Sequence, residues 1–430
     1  MNNLVFRFYL LFTASWFLHL PARIPILGLI RFDLLLVAIT ALLAATLPNR
    51  TTQDDPGART SRLFFVLVLY SLVTVPFVEW PGSVLDHGFE GFVKAALFFY
   101  FTTRIIQTPR QFQVFLDFFV FCQLFRVLEP MYLHFAYGYW GSGASMLGGL
   151  EFMDRLSGAP HDVVNPNGLA FIILTVIPFV FFRGRTSHFA RVCSLGLIPL
   201  LGYGLFLTGS RSGFLGLLLI AIGIVIYSRH RVILSVLGLI MFFFLFSSLS
   251  PDQVDRYTSI VSSESKNAAT AQDRIDGVIE DFKVALRRPL FGHGIGTSKE
   301  ANANFGSSYL VSHNLITEVA QELGFVGLAI YLAFLWSIVR NFRRTKEIVD
   351  HSSQGQGYPK DMLLAMQVWL YMNLLFSLAS YGLSNYEWYL FGGFSVVMPR
   401  IFTGEEPAME EDSEAARVAS RSDQRATPLP

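Results

Sequence analysis

The chain alternates long apolar runs with short polar stretches, and the runs recur from the first residues to about position 401. A helix that crosses a bilayer needs about 20 mostly apolar residues. By that measure the pattern predicts twelve spans, at 4–20, 24–47, 63–78, 89–106, 112–134, 167–182, 192–208, 212–227, 232–249, 313–339, 361–380 and 385–401. The expected fold class is therefore all-α: a polytopic membrane bundle of about twelve helices over residues 1–402. The first run lacks a clear basic region and a small-residue cleavage site, so it reads as a retained helix and not as a signal peptide.

Basic residues in short loops set orientation. Arg50, Arg59 and Arg62, Arg104 and Arg110, Arg183, Arg185 and Arg191, Arg229 and Arg231, and Arg340, Arg343, Arg344 and Lys346 all fall in alternate loops. Twelve spans place every one of these loops on the cytoplasmic side, together with both termini. The opposite side then carries two long segments, 135–166 and 250–312. The second contains an amphipathic helix, "AQDRIDGVIEDFKVALRRP", with Ile275, Val278, Ile279, Phe282, Ala285 and Leu286 on one stripe. Pro289 ends it, and "GHGIG" reads as a flexible turn. Residues 403–430 are polar and charged and read as a disordered cytoplasmic tail.

Composition supports a membrane protein: 52% of residues are hydrophobic, 42 are Phe, and only 15% are charged. The net charge of +1 gives no electrostatic case for nucleic acid. Cys122 and Cys193 both sit in apolar runs, which argues against a disulfide, and no Cys/His cluster has metal spacing. No metal and no cofactor are expected.

Ionisable residues in or beside a span are costly, and each is a functional candidate. Arg211 lies in the short external turn between spans seven and eight. Arg126 and Glu129 fall in the outer half of span five, Glu90 and Lys94 are four apart at the outer start of span four, Arg155 is in the first external loop, Arg274 is on the loop helix, and His313 opens span ten. All belong to the external leaflet. Structural roles compete with this reading. An interfacial Arg is often a snorkelling anchor, Glu90 and Lys94 can pair on one helix face, and Ser312 or Asn314 can cap a helix beginning at His313. On an ideal helix Arg274, Asp281 and Arg288 share one stripe. Gly324 lies on nearly the same face as His313, about three turns deeper, and would leave a groove below the imidazole.

Three segments in order, "TGSRSGFLGL" at 208–217, "DRIDGVIEDFKVALRRPLFGHGIGTS" at 273–298 and "SHNLITEVAQELGFVGL" at 312–328, resemble the O-antigen ligase and O-antigen polymerase family of bacterial membrane glycosyltransferases. "RLSGAPHDVVNPNGLA" at 155–170 is a weaker match. Family members often have Trp shortly after the loop arginine, where this chain has Val278, Ile279 and Phe282; Arg287 and Arg288 therefore stay open as alternatives to Arg274.

The resemblance implies glycan transfer from an undecaprenyl pyrophosphate carrier to a hydroxyl of lipid A–core or of a growing glycan, in the bacterial inner membrane, with the site facing the periplasm or cell exterior. It also covers exopolysaccharide polymerases. Arg211 and Arg274 suit a pyrophosphate clamp, because guanidinium forks make charge-assisted bonds to phosphate. His313 suits a general base for the acceptor hydroxyl, or a group that orients phosphate or acceptor. Lys94, Arg126, Arg155 and Arg288 are candidates for further substrate contacts, and Asn167 for orienting a loop. Metal-independent transfer is expected, with guanidinium charge in place of a cation. The rival class is a lipid-linked oligosaccharide transporter or flippase, which would place polar groups at the bilayer midplane; Glu322, about two turns into span ten, fits that class best.

Overall fold

A computed structural model describes residues 2–48, 57–141, 155–228, 230–247, 254, 269–306, 309–351, 357–380 and 382–402. Among these residues the secondary structure is helical throughout, with no strand. The principal helices are α1 (Asn2–Leu18), α2 (Phe32–Ala45), α3 (Ala58–Val73), α4 (Phe89–Ile105), α5 (Pro109–Tyr137), α6 (Pro166–Arg183), α7 (His188–Leu207), α8 (Arg211–Ile226), α9 (Arg231–Ser247), α10 (Ala269–Ala285), α11 (Ser298–Phe305), α12 (Leu315–His351), α13 (Tyr358–Phe376) and α14 (Tyr386–Phe402).

Four segments are long and apolar enough to cross a membrane: Pro166–Arg183, His188–Leu207, Leu315–His351 and Tyr358–Ala379. Asn3–Leu18, Phe32–Ala45, Arg211–Ile226 and Arg231–Phe244 are apolar but shorter. A helix lies under each predicted run, yet the expected count of twelve crossings is not reached by length and composition. The differences have local causes. The run at 24–47 is broken where Arg31 takes φ 47°, separating a short turn at 25–29 from α2. Helix α5 is long, but Asp117, Arg126 and Glu129 lower its apolar character. The tail at 403–430 lies outside the described residues.

The bundle is held by close aromatic packing. Phe64 stacks on Phe99 at 4.1 Å and Trp369 on Phe391 at 3.5 Å, joining α3 to α4 and α13 to α14. In lipid, where the hydrophobic effect between helices is weak, such van der Waals contact and buried hydrogen bonds carry association. Buried Tyr9 and Thr102 share a hydroxyl–hydroxyl bond of 2.7 Å between α1 and α4. Asn341 donates to Thr60 at 2.9 Å between α12 and α3.

The helix ends sort by charge. Arg104 donates to the carbonyl of Leu47 and Arg400 to that of Thr103, while Arg183 lies 3.4 Å from Asp117 and Arg185 3.3 Å from Asp361. These are the ends of α4, α6 and α14 and the starts of α5 and α13. The other ends of the same helices are free of this basic cluster, and there the chain builds a polar cavity.

A candidate active site at one end of the bundle

The cavity holds about 430 Å³ and gathers the ends of α1 and α13 with the starts of α6, α8, α12 and α14. Its lining includes Trp16, Arg126, Asn165, Asn167, Ser212, His313, Asn373, Ser377, Asn385, Tyr386 and Glu387. Residues as far apart in sequence as Trp16 and Glu387 therefore share one space rich in amides, hydroxyls and charged groups.

Each wall is positioned by a helix cap. Asn165 accepts from the amide of Gly168 at 2.8 Å and Pro166 follows as the first helical residue, which fixes the start of α6 and Asn167 on it. Ser210 accepts from the amide of Gly213 at 3.1 Å, so α8 begins at Arg211, which is half-buried. Its neighbour Ser212 lines the cavity. Asn314 accepts from the amides of Ile316 and Thr317 at 2.9 and 3.3 Å and donates to the carbonyl of Leu378 at 2.9 Å. The cap of α12 is thus Asn314, and it leaves His313 just outside the helix, exposed on the cavity rim.

Arg155 ties two walls together. It donates through Nε to the carbonyl of Thr208 at 2.8 Å and through Nη2 to Asn167 at 2.9 Å. The turn leading to Arg211 and the first turn of α6 are therefore bracketed by one guanidinium.

Arg126 lies deeper. It forms a two-point ion pair with Asp162, at 2.6 and 3.0 Å, and donates to Gln123 at 3.1 Å. Asp162 also lies 3.2 Å from His19 Nε2. Burial alone would raise the Asp162 carboxyl; hydrogen bonds from His19 and Arg126, with the Arg126 charge, outweigh it and bring the pKa down to about 2. Gln123 in turn bonds the hydroxyl of Tyr386, next to Glu387. The opposite wall hangs on Glu318, which accepts from the amides of Gly382 and Leu383 at 2.6 and 3.1 Å and so sets the turn carrying Ser384 and Asn385.

The other sequence candidates sit elsewhere. Lys94 pairs with Glu90 on one face of α4. A β-carbon at Gly91, on the same turn, would touch Ser384 of the cavity wall at 3.6 Å. Arg288 is held by Glu79 and by the carbonyl of Phe77 at the far end of the loop helix. Glu129 pairs with Arg23. Arg274 lies on the first turns of α10, and its side chain lies outside the described residues.

The region below His313 differs from expectation. Gly324 breaks α12 with φ 69° and ψ −178°, and the backbone of Pro289 and Leu290 fills the space beside it. The expected groove is therefore occupied by the chain's own loop. A Cβ at Gly324 would meet the Leu290 oxygen at 2.4 Å, and one at Gly292 would meet the Glu322 carbonyl at 2.5 Å. The "GHGIG" turn is pinned, not flexible: the amides of His293 and Gly294 donate to the carbonyls of Gln321 and Glu322 at 2.7 and 3.0 Å. The Glu322 carboxylate accepts from the amides of Gly296 and Ser298. It is consumed in holding this turn, which removes the reason for assigning it to a transport path.

Tyr386, Glu387, Asp162 and Glu318 were not singled out by sequence reasoning. Glu387 carries the same signal that raised Arg126, a charge inside an apolar run. Asp162 carries none, because its significance lies only in facing Arg126. Among the described residues no group of three or more His, Cys, Asp or Glu is placed to hold a metal.

A family model described as O-antigen ligase matches residues 195–332, from within α7 to the upper part of α12. This span contains Arg211, Arg274 and His313. No curated protein matches the chain.

Proposed function

From the match of residues 195–332 to a family model described as O-antigen ligase, we propose that the chain moves a glycan from an undecaprenyl pyrophosphate carrier to a hydroxyl acceptor at the external face of the bacterial inner membrane. The acceptor is lipid A–core, for a ligase, or a growing O-antigen or exopolysaccharide chain, for a polymerase. One observation carries this reading. His313 and Ser212, the residue after Arg211, line one cavity together with amides, hydroxyls, the indole of Trp16 and apolar side chains such as Phe171, Ile172 and Phe376. Its position at the helix ends remote from Arg104, Arg183, Arg185 and Arg400 favours the external face, since basic loops stay inside.

In this mechanism the acceptor oxygen attacks the anomeric carbon as His313 takes its proton. The bond from that carbon to the phosphate oxygen breaks, and its electron pair leaves with the pyrophosphate. Arg211 and Arg274 meet the charge that develops there, where exclusion of water makes a fixed guanidinium most effective. Arg126 is already neutralised by Asp162, so its place is the glycan end of the cavity, beside Tyr386 and Glu387. Arg155 and Asn167 position the Arg211 turn. Lys94 and Arg288, in their ion pairs, stand as outer contacts. The guanidinium charges serve without a metal.

The test is transfer of labelled glycan by purified chain in vesicles, offered lipid A–core or a second carrier-linked unit. Arg211→Ala is expected to lower transfer by about 10²–10³-fold, as for removal of one charge-stabilising donor, with membrane insertion intact. His313→Ala is expected to lose transfer and keep carrier binding. A chelator is expected to change nothing. Wild-type transfer by Arg211→Ala rejects the clamp, and translocation of carrier without transfer to any acceptor rejects the enzyme class.

A further inference from the structure

The loop helix α10 has three faces and not two. At 100° per residue, Asp281, Val284 and Ala285 share a face that is buried against α12. Asp281 accepts there from Asn302 at 2.7 Å and from Thr317 and Gln321. Asp276, Glu280 and Lys283 form a second, polar face. The third is the apolar stripe of Ile275, Ile279 and Phe282, continued by Leu286, and these four side chains are 46–57% exposed. The stripe that sequence pattern alone would press onto the bundle is thus turned away from it, because the carboxylate of Asp281 claims the bundle side.

The stripe is continuous with other outward apolar surface. Phe282 meets Phe325 edge-on at 5.9 Å, beside exposed Val326 on α12, whose outer face continues through Leu332 and Trp336. Leu290 and Phe291 follow α10 and are exposed, and Phe291 lies 5.3 Å from Phe77 beyond exposed Leu69, Leu72 and Val73 of α3. The level of this surface is fixed by hydrogen bonds. The carbonyl of Pro289 accepts from the amide of Phe325 at 2.7 Å, and that of Leu290 from the Tyr70 hydroxyl at 2.6 Å. Phe325 lies ten residues past the start of α12, about 15 Å along a helix axis. With α12 starting in the headgroup layer, which is about 5–8 Å thick on each side, Phe325 lies in the hydrocarbon of one leaflet, about 8–10 Å below its boundary. At such depth unpaired peptide groups are costly, and in the turn from Pro289 to Gly294 the carbonyls of Pro289 and Leu290 and the amides of His293 and Gly294 are tied to α3 and α12.

We propose that α10 and the hinge after it are seated in the bilayer. The stripe Ile275, Ile279, Phe282 and Leu286 dips into the hydrocarbon of the leaflet on the cavity side, the Asp276–Lys283 face stays in water, and the Asp281 face docks on α12. Helices of this kind bury their apolar side about 5–10 Å into the headgroup and acyl boundary. The proposal rests on α12 crossing the bilayer and is independent of glycan transfer.

Nitroxide labels on the full chain in synthetic phosphatidylcholine vesicles, free of polyprenol, test it. Single labels are placed at Ile279→Cys, Phe282→Cys, Asp276→Cys and Lys283→Cys, with Cys193 replaced by serine and buried Cys122 left in place. The expected result is a several-fold higher ratio of oxygen to nickel–EDDA collisions at 279 and 282 than at 276 and 283. Equal nickel access at all four positions overturns the proposal, placing the helix in water. Shielding of 279 and 282 from both reagents also overturns it, because a protein surface then covers the stripe. A high ratio that appears only when polyprenol is added shows that the carrier's tail, and not the bilayer, occupies the stripe, and overturns it as well.

Discussion

The cavity wall and the Gly324 hinge are both built around buried carboxylates, but their polar groups end differently. At the hinge, the Glu322 carboxylate takes the amides of Gly296 and Ser298, its carbonyl takes that of Gly294, and the Pro289 carbonyl takes that of Phe325, so these groups are spent on the chain itself. At the wall, Asp162 and Glu318 hold their partners so that neighbouring groups, Tyr386, Glu387, Asn385 and His313, face a cavity. Two adjacent regions with similar chemistry thus serve different ends. A closed network fixes the chain's path, and an open one presents chemistry to a ligand. Burial of a charge alone does not distinguish them; what its partners are free to do afterwards does.

Removing Asp162 breaks the open side most severely. Asp162→Ala leaves the Arg126 guanidinium buried without its anion, and about 3–5 kcal/mol of stability is expected to be lost, read as thermal or denaturant unfolding in mild detergent. Replacing the pair together, with Arg126→Met added, is expected to restore most of it. If Asp162→Ala unfolds like wild type, the ion pair does not organise the wall.

Next comes the closed side. Gly324→Ala forces a β-carbon onto a backbone of φ 69° and ψ −178° and against the Leu290 oxygen. The expected loss is about 3 kcal/mol or slightly less. Faster proteolysis in 286–298 should accompany it, while correctly folded molecules keep carrier affinity. Lost carrier affinity in a fully stable variant would show that the hinge is part of the binding site and that the two regions do not differ in role.

The smallest expected effect is a pH dependence. The Asp162 carboxyl is held at about 2 against an ordinary 3.8. A depressed carboxyl contributes stability that is full above the unfolded value and fades as protons bind the folded form. The contribution, about 2 kcal/mol, is therefore present at neutral pH and lost as pH falls from about 4 to 2. Asp162→Asn should unfold with a shallower dependence across that window than wild type, and identical slopes would assign the acid lability to other carboxylates.

Local pattern carried much of the architecture. Apolar runs, and helical periodicity for α10, located every principal helix except α11, because hydropathy and 3.6-residue repetition depend only on neighbours in sequence. A cap residue was legible for the same reason: Asn314, one of two offered for α12, stands at the helix start and bonds the amides two and three residues on. The candidates Arg211, Asn167, Arg126 and His313 were visible as charges or amides at the ends of apolar runs, and the chain does bring their segments to one cavity.

What the order of residues determined, then, was an all-helical chain of apolar segments with its chemistry gathered at segment ends, since hydropathy and capping act over a few residues. What only the tertiary structure decided was which polar groups meet. Asp162 facing Arg126, Glu322 consumed by the amides of Gly296 and Ser298, Pro289–Leu290 filling the notch at Gly324, and Asp281 turning the apolar stripe of α10 outward are all contacts between residues 21–36 apart in sequence. Charge pairing and backbone hydrogen bonding act over about 3 Å. No periodicity along the chain reports which distant group will arrive within that distance.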